Sequence, residues 1–209
     1  MRLSLSADLE GTCGIADWAE TERATMDDCR PVAAEMTAEV AAASEGAGSA
    51  GAEDMLVKDA HDAARSRDAA RLPRQARVLR GWTGDPLCMM AGLERGAFGG
   101  VLFTGSHAWG CCGGNPLSHT MTTACDQVTP TGVPASEFLI HTYTALYFGV
   151  PVAFLSGHRA LCAFAQDWLP GLGAVPAHAG RGAGVLSMHP QAAVEALRAG
   201  ADQAGRPRR

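Results

Sequence analysis

Residues 5–15, "LSADLEGTCGI", decide how this chain is read. They complete an apolar run that predicts a first strand over residues 2–8. The run nevertheless finishes in two carboxylates, Asp8 and Glu10. In an extended segment, side chains two residues apart point the same way. Both acids would then face one place beyond the end of the strand.

Working outward, apolar segments of strand length alternate with helical ones. "PVAAEMTAEVAAASEGAG" (31–48) predicts a helix with Pro31 in its first turn and a glycine-rich stop. "DMLVKDAH" (54–61) and "ARVLRGW" (76–82) predict the second and third strands, and "PLCMMAGLERG" (86–96) a short helix. "GGVLFTGSH" (99–107) predicts the fourth strand, a helix follows from about Ser136, and "VPVAFLSG" (150–157) predicts the fifth strand. "HRALCAFAQDWLPG" (158–171) and "PQAAVEALRAGADQA" (190–204) predict the last two helices. Continuous apolar strands alternating with helices predict an α/β fold: a three-layer sandwich with a mainly parallel central sheet and helices on both faces. Without repeats or linkers, residues 1–209 are expected to form a single domain, with 203–209 a frayed and disordered tail.

Composition narrows the function. A net charge of −5 argues against nonspecific nucleic-acid binding; the one basic cluster is the terminal "RPRR". No charged head precedes a long apolar stretch, and no apolar run is long enough to span a bilayer, so a cytoplasmic protein without a membrane partner is expected. The seven cysteines are scattered and form no CxxC pair, which predicts reduced thiols and no structural zinc ribbon. Abundant glycine and alanine predict tight turns and small-residue packing.

The predicted strands share a feature at their carboxyl ends. Strand one ends in Asp8 and Glu10, strand two in Asp59 and His61, and strand four in His107. His119 follows across a glycine-rich loop, and Glu137 lies at the start of a helix. Ligands of open α/β sheets gather beyond the carboxyl ends of strands, so these groups are expected to converge. Imidazoles and carboxylates together suit zinc and its neighbours. Five ligands exceed what one catalytic zinc uses and suit two metals sharing a carboxylate, with a further histidine free to handle protons. Asp59 reads equally well as a group orienting a ligand or as the cap of a turn.

"SADLEGTCGI", "MLVKDAHD", "MMAGL", "GGVLFTGSHA", "LSHTM" and "GVPASEF" follow one another in an order that resembles the D-aminopeptidase family of dinuclear zinc peptidases, peptidase family M55. The likeness covers roughly residues 1–190. It implies that Asp8, Glu10, His61, His107 and Glu137 hold two zinc ions per subunit, with Asp8 bridging. It implies that His119 is catalytic rather than a ligand. It further implies hydrolysis of short peptides carrying an amino-terminal D-amino acid, by a homo-oligomer that encloses its sites.

The family extends some tens of residues further at the C-terminus. It also has an aspartate where this chain has His158, and a lysine near residue 177 that has no clear counterpart here, although Arg181 matches. Trp109, in the loop between His107 and His119, is expected to line the site; His158 and Arg181 are candidates for substrate contact. His141 and His189 are expected on helix surfaces. These departures keep two other functions open: a metal-dependent amidase for a specialised biosynthetic intermediate, and a noncatalytic binding protein on the same fold.

Overall fold

The computed structural model describes residues 1–22, 26–66, 68–130 and 132–206. Among the described residues, seven strands form one sheet in the order β3-β2-β1-β4-β5-β6-β7. They are β1 (Arg2–Ala7), β2 (Asp54–Asp59), β3 (Ala76–Leu79), β4 (Gly100–Ser106), β5 (Val152–His158), β6 (Gly173–Arg181) and β7 (Gly184–Ser187). Strands β1 to β6 are parallel to their neighbours, and β7 returns antiparallel along β6. The helices are α1 (Trp18–Thr21), α2 (Met26–Ser49), α3 (Glu137–Tyr147), α4 (Arg159–Trp168) and α5 (Pro190–Gly205). This is the α/β architecture with a mainly parallel sheet that the alternating pattern predicts.

Two cores flank the sheet. On one face, Leu3, Leu5, Met55, Val57 and Phe154 meet Met36, Val40 and Ala43 of α2 and Leu197 and Ala201 of α5. On the other, Val101, Phe103 and Leu155 meet Phe138 of α3 and Leu161 and Ala165 of α4. Side chains alternate across a strand, so adjacent residues such as Leu102 and Phe103 serve opposite cores. The alanine-rich faces of α2 and α5 bring the helices close: a Cβ at Gly46 would collide with the Arg198 carbonyl.

Several local expectations need correction. Helix α2 begins at Met26, not at Pro31, so Pro31 lies inside the helix, where it removes one backbone hydrogen bond. The segment 86–96 forms two single 3-10 turns, Cys88–Met90 and Leu93–Arg95, separated by Gly92 in the left-handed region (φ 95°), rather than a helix. Strands β6 and β7 were not anticipated. Pro176 and three glycines break the apolar pattern there, and the pairing of β5 with β6 shifts register beside Gly157. Helix α5 reaches Gly205, so 203–205 are helical rather than frayed, and Arg206 pairs with Asp202. Residues 207–209 of the expected tail lie outside the described residues. Among the described residues no helix is long and apolar enough to cross a membrane.

Candidate metal centre

The strand order reverses direction at β1: β2 and β3 lie on one side, β4 and β5 on the other. A crevice opens at such a switch point, beyond the carboxyl ends of the strands. The groups singled out in the sequence gather there. Asp8 follows β1, His61 follows β2 and His107 follows β4, while Glu137 is the first residue of α3, whose Ser136 cap accepts the Leu139 N–H at 3.1 Å.

Glu10 reaches the cluster differently from the extended geometry expected. The chain turns after Ala7, with Thr12 N–H donating to the Leu9 carbonyl at 2.9 Å and Gly11 N–H to the Gly105 carbonyl at 2.7 Å. Glycine is needed at that approach, because a Cβ on Gly11 would collide with the Ser106 carbonyl. Glu39 of α2 anchors the same turn by accepting the Cys13 N–H at 2.8 Å.

Asp8, Glu10, His61, His107 and Glu137 are all buried. Ligand atoms of Asp8, Glu10 and His61 lie within 4.8 Å of one another, as do those of Asp8, His107 and Glu137, and those of Glu10, His107 and His119. The first two triads share Asp8. His61 Nδ1 is 3.2 Å from Glu10 and 3.4 Å from Asp8; His107 Nε2 is 3.4 Å from Asp8 and 3.5 Å from Glu137.

Backbone carbonyls orient all three imidazoles. His61 donates from Nε2 to the Thr21 carbonyl at 2.9 Å, His107 from Nδ1 to the Ala108 carbonyl at 3.0 Å, and His119 from Nδ1 to the Leu117 carbonyl at 2.9 Å. A ring nitrogen that gives its proton to a carbonyl leaves the other as the lone-pair donor. In each ring that other nitrogen faces the carboxylates. His107 Nε2 is buried and takes no hydrogen bond among the described residues.

The electrostatics are those of a cation site with protons in the cation's place. Burial opposes charge on His61, but Glu10 and Asp8 outweigh it and push its pKa up to about 12. Burial is likewise outweighed at His107 by Glu137, which raises it to about 10. Burial also disfavours the carboxylates. At Glu10 and Glu137 the imidazolium charges of His61 and His107 win and hold the groups ionised below the usual range. At Asp8 burial and the Glu10 charge win, and the pKa rises. The pKa of His119 is lowered by burial and by His107, which favours the neutral ring, and the hydrogen bond from Nδ1 to Leu117 leaves the lone pair at Nε2. A buried set of three acids and oriented imidazole lone pairs, with one donor atom unpartnered, fits divalent cations.

The remaining candidates lie elsewhere. Asp59, at the end of β2, accepts the Ser66 N–H at 2.7 Å, a contact within the turn that follows the strand. Trp109 packs on Phe164 with ring centroids 4.9 Å apart, and does not line the cavity beside the acids. His158 is buried with its ring 5.6 Å from that of His178, and Arg181 ends β6 at the hairpin; neither lines that cavity. His141 is buried rather than on the helix surface, with Nδ1 2.7 Å from the Glu137 carbonyl. His189 caps α5, accepting the Gln191 N–H. The six cysteines with described side chains are free thiols.

Sequence reasoning missed Trp18, which meets the His119 ring edge-on at 5.2 Å, and Thr21, which orients His61. Both belong to α1, whose capping box, Asp17 with Glu20, was a readable signal. It also missed Met121, whose N–H donates to Glu137 at 2.7 Å, and nothing in the local sequence marks that contact.

Comparison with known proteins agrees with this picture. The curated D-aminopeptidase of Bacillus subtilis (strain 168) is 27% identical over 172 residues, which span 81% of this chain and 61% of that protein. A solved structure, described as the Zn-dependent D-aminopeptidase DppA from Bacillus subtilis, a self-compartmentalizing protease, superposes with a TM-score of 0.88 at 24% identity. That match covers 98% of this chain and 73% of the solved one. The family model Peptidase_M55, described as D-aminopeptidase, matches residues 1–209, and the chain belongs to that family.

Proposed function

We propose that this protein is a metal-dependent aminopeptidase that hydrolyses short peptides carrying an amino-terminal D-amino acid. One observation carries the reading: two buried donor triads share Asp8, and every imidazole in the cluster has its second nitrogen committed to a backbone carbonyl. On this reading Asp8, Glu10, His61, His107 and Glu137 would hold two zinc ions, Asp8 being common to both donor triads. When bound, such ions supply Lewis-acid polarisation of the scissile carbonyl and a lowered pKa for the attacking water.

His119 is the proton-handling group. Its Nδ1 is fixed on Leu117, and its Nε2 faces the cavity 3.6 Å from Glu137 and 4.0 Å from Glu10. A neutral imidazole in that position accepts a proton from the nucleophile and returns it to the leaving amine. The description of the solved neighbour supports a homo-oligomer. So do Tyr143, Leu146 and Tyr147, which stand exposed on α3. One continuous sheet through both cores supports a single domain.

The test is reconstitution of the metal-stripped chain with zinc, manganese or cobalt. Metal content is measured, followed by hydrolysis of D- and L-configured dipeptides. Uptake of two ions with turnover of the D-peptides is expected. A chain that takes up no ion, or holds two and cleaves no peptide, refutes the proposal.

A further inference from the structure

Beside the acids lies a cavity of about 550 Å³. Its wall is built from Trp18, Trp82, Met89 and Met121, and Glu22 and Asp62 stand at its rim. Among the described lining residues there is no lysine or arginine. Two tryptophans and two thioethers beside a buried polar cluster make an apolar pocket with a few convergent polar groups.

The wall is held rigid. Trp82 is 45% exposed, yet its Nε1 donates to the Asp62 carbonyl at 2.7 Å, and the Lys58 ammonium stands 4.2 Å from its ring centroid. Lys58 in turn donates to the carbonyls of Asp59 and Gly81 at 2.8 Å each. The brace ties the end of β2, the turn after His61 and the loop carrying Trp82 into one unit. Among the described residues, three of the five non-glycine residues with left-handed backbone, Asp62 (φ 46°), Cys88 (φ 53°) and Met121 (φ 64°), line this same cavity. Such conformations cost energy and persist where the surrounding structure over-determines them, commonly at functional sites. An exposed indole fixed by a hydrogen bond and a cation is a preorganised surface rather than a loose one.

We propose that this wall is the specificity pocket for the side chain of the substrate's amino-terminal residue. It selects aromatic or large aliphatic residues over alanine, with the acidic rim favouring the substrate's free ammonium. The proposal rests on the aminopeptidase reading above and narrows its substrate class. Burying a phenyl group against the wall is worth at least a tenfold preference.

Two measurements test it on the metal-reconstituted full chain. The first compares kcat/KM for X-glycine dipeptides, with X alanine, leucine, phenylalanine or glutamate in both configurations. Phenylalanine is expected to exceed alanine about tenfold or more in the configuration that is cleaved, with glutamate poorest. Trp82→Ala should lower the phenylalanine-to-alanine ratio roughly tenfold, whereas Trp168→Ala, distant on α4, should leave the ratio as it was. The second is calorimetric binding of phenylalanine amide and alanine amide, which reads the wall without turnover. Alanine equal to or better than phenylalanine in either measurement, or a ratio that ignores Trp82→Ala, overturns the proposal. Absence of all hydrolysis with selective binding intact would sink the aminopeptidase reading and leave the pocket standing.

Discussion

Glu39 offers a quantitative test of how the cluster is supported. It lies on α2, is 1% exposed, and holds the turn that carries Glu10 by accepting the Cys13 N–H at 2.8 Å. Its second oxygen has no hydrogen-bond partner among the described residues. Burial raises its pKa from 4.5 to about 8, more than the Cys13 hydrogen bond lowers it. A carboxyl with a raised folded-state pKa favours the protonated form on folding. The stability it lends is complete below the unfolded pKa and is lost as pH rises toward the folded one. At about 1.4 kcal/mol per unit, the displacement gives a ceiling of about 5 kcal/mol. Glu39→Gln keeps an acceptor for Cys13 and cannot ionise. The gap between variant and wild type should therefore move in the variant's favour by about 1 kcal/mol per unit between pH 5 and pH 8. Urea unfolding at pH 5, 6, 7 and 8, with a chelator present to keep the metal centre constant, reads this gap. A fixed offset is expected from the amide nitrogen left beside an unpartnered position; the slope carries the test. A gap independent of pH would refute the placement of a buried, protonated Glu39 under the turn.

Three further outcomes follow from the same geometry. Asp8 is shared by two donor triads and Glu137 belongs to one, so Asp8→Asn should reduce bound metal toward zero while Glu137→Gln retains about one ion per chain, measured by elemental analysis after dialysis. His119→Ala should retain both ions yet lose about 100-fold or more in kcat, because general acid–base assistance is worth that much; loss of an ion in this variant would instead make His119 a ligand. Gly105→Ala should destabilise the fold by about 2 kcal/mol or more and weaken metal uptake. Gly105 sits at φ 65°, and a Cβ there would collide with the Asp8 carbonyl. Thermal unfolding together with a metal titration checks both effects.

Much of the architecture could be read from local pattern. The five apolar strands and the long helices follow from runs and periods that solvent exclusion imposes on any chain. Asp8, His61, His107 and Glu137 could be named because each follows or begins an element the pattern reveals, and Glu10 because it stands two residues beyond Asp8. The misses share a physical cause. Strands β6 and β7 contain Pro176 and several glycines, and their pairing is decided by β5 rather than by their own composition. Trp109 was placed in the site by its position between His107 and His119, but the loop turns it onto Phe164.

The amino-acid sequence by itself determined the kinds of donor and the strand ends that deliver them, because side-chain chemistry and hydrophobic periodicity are local properties. Tertiary structure alone decided which nitrogen of each imidazole faces the acids, since that depends on the carbonyls of Thr21, Ala108 and Leu117. It also decided that Glu10 arrives through a turn tied to Gly105 and Glu39, and that Trp18 and Trp82 wall the cavity. Those relations join residues distant in the chain, and no period or spacing encodes a contact that only packing across the sheet creates.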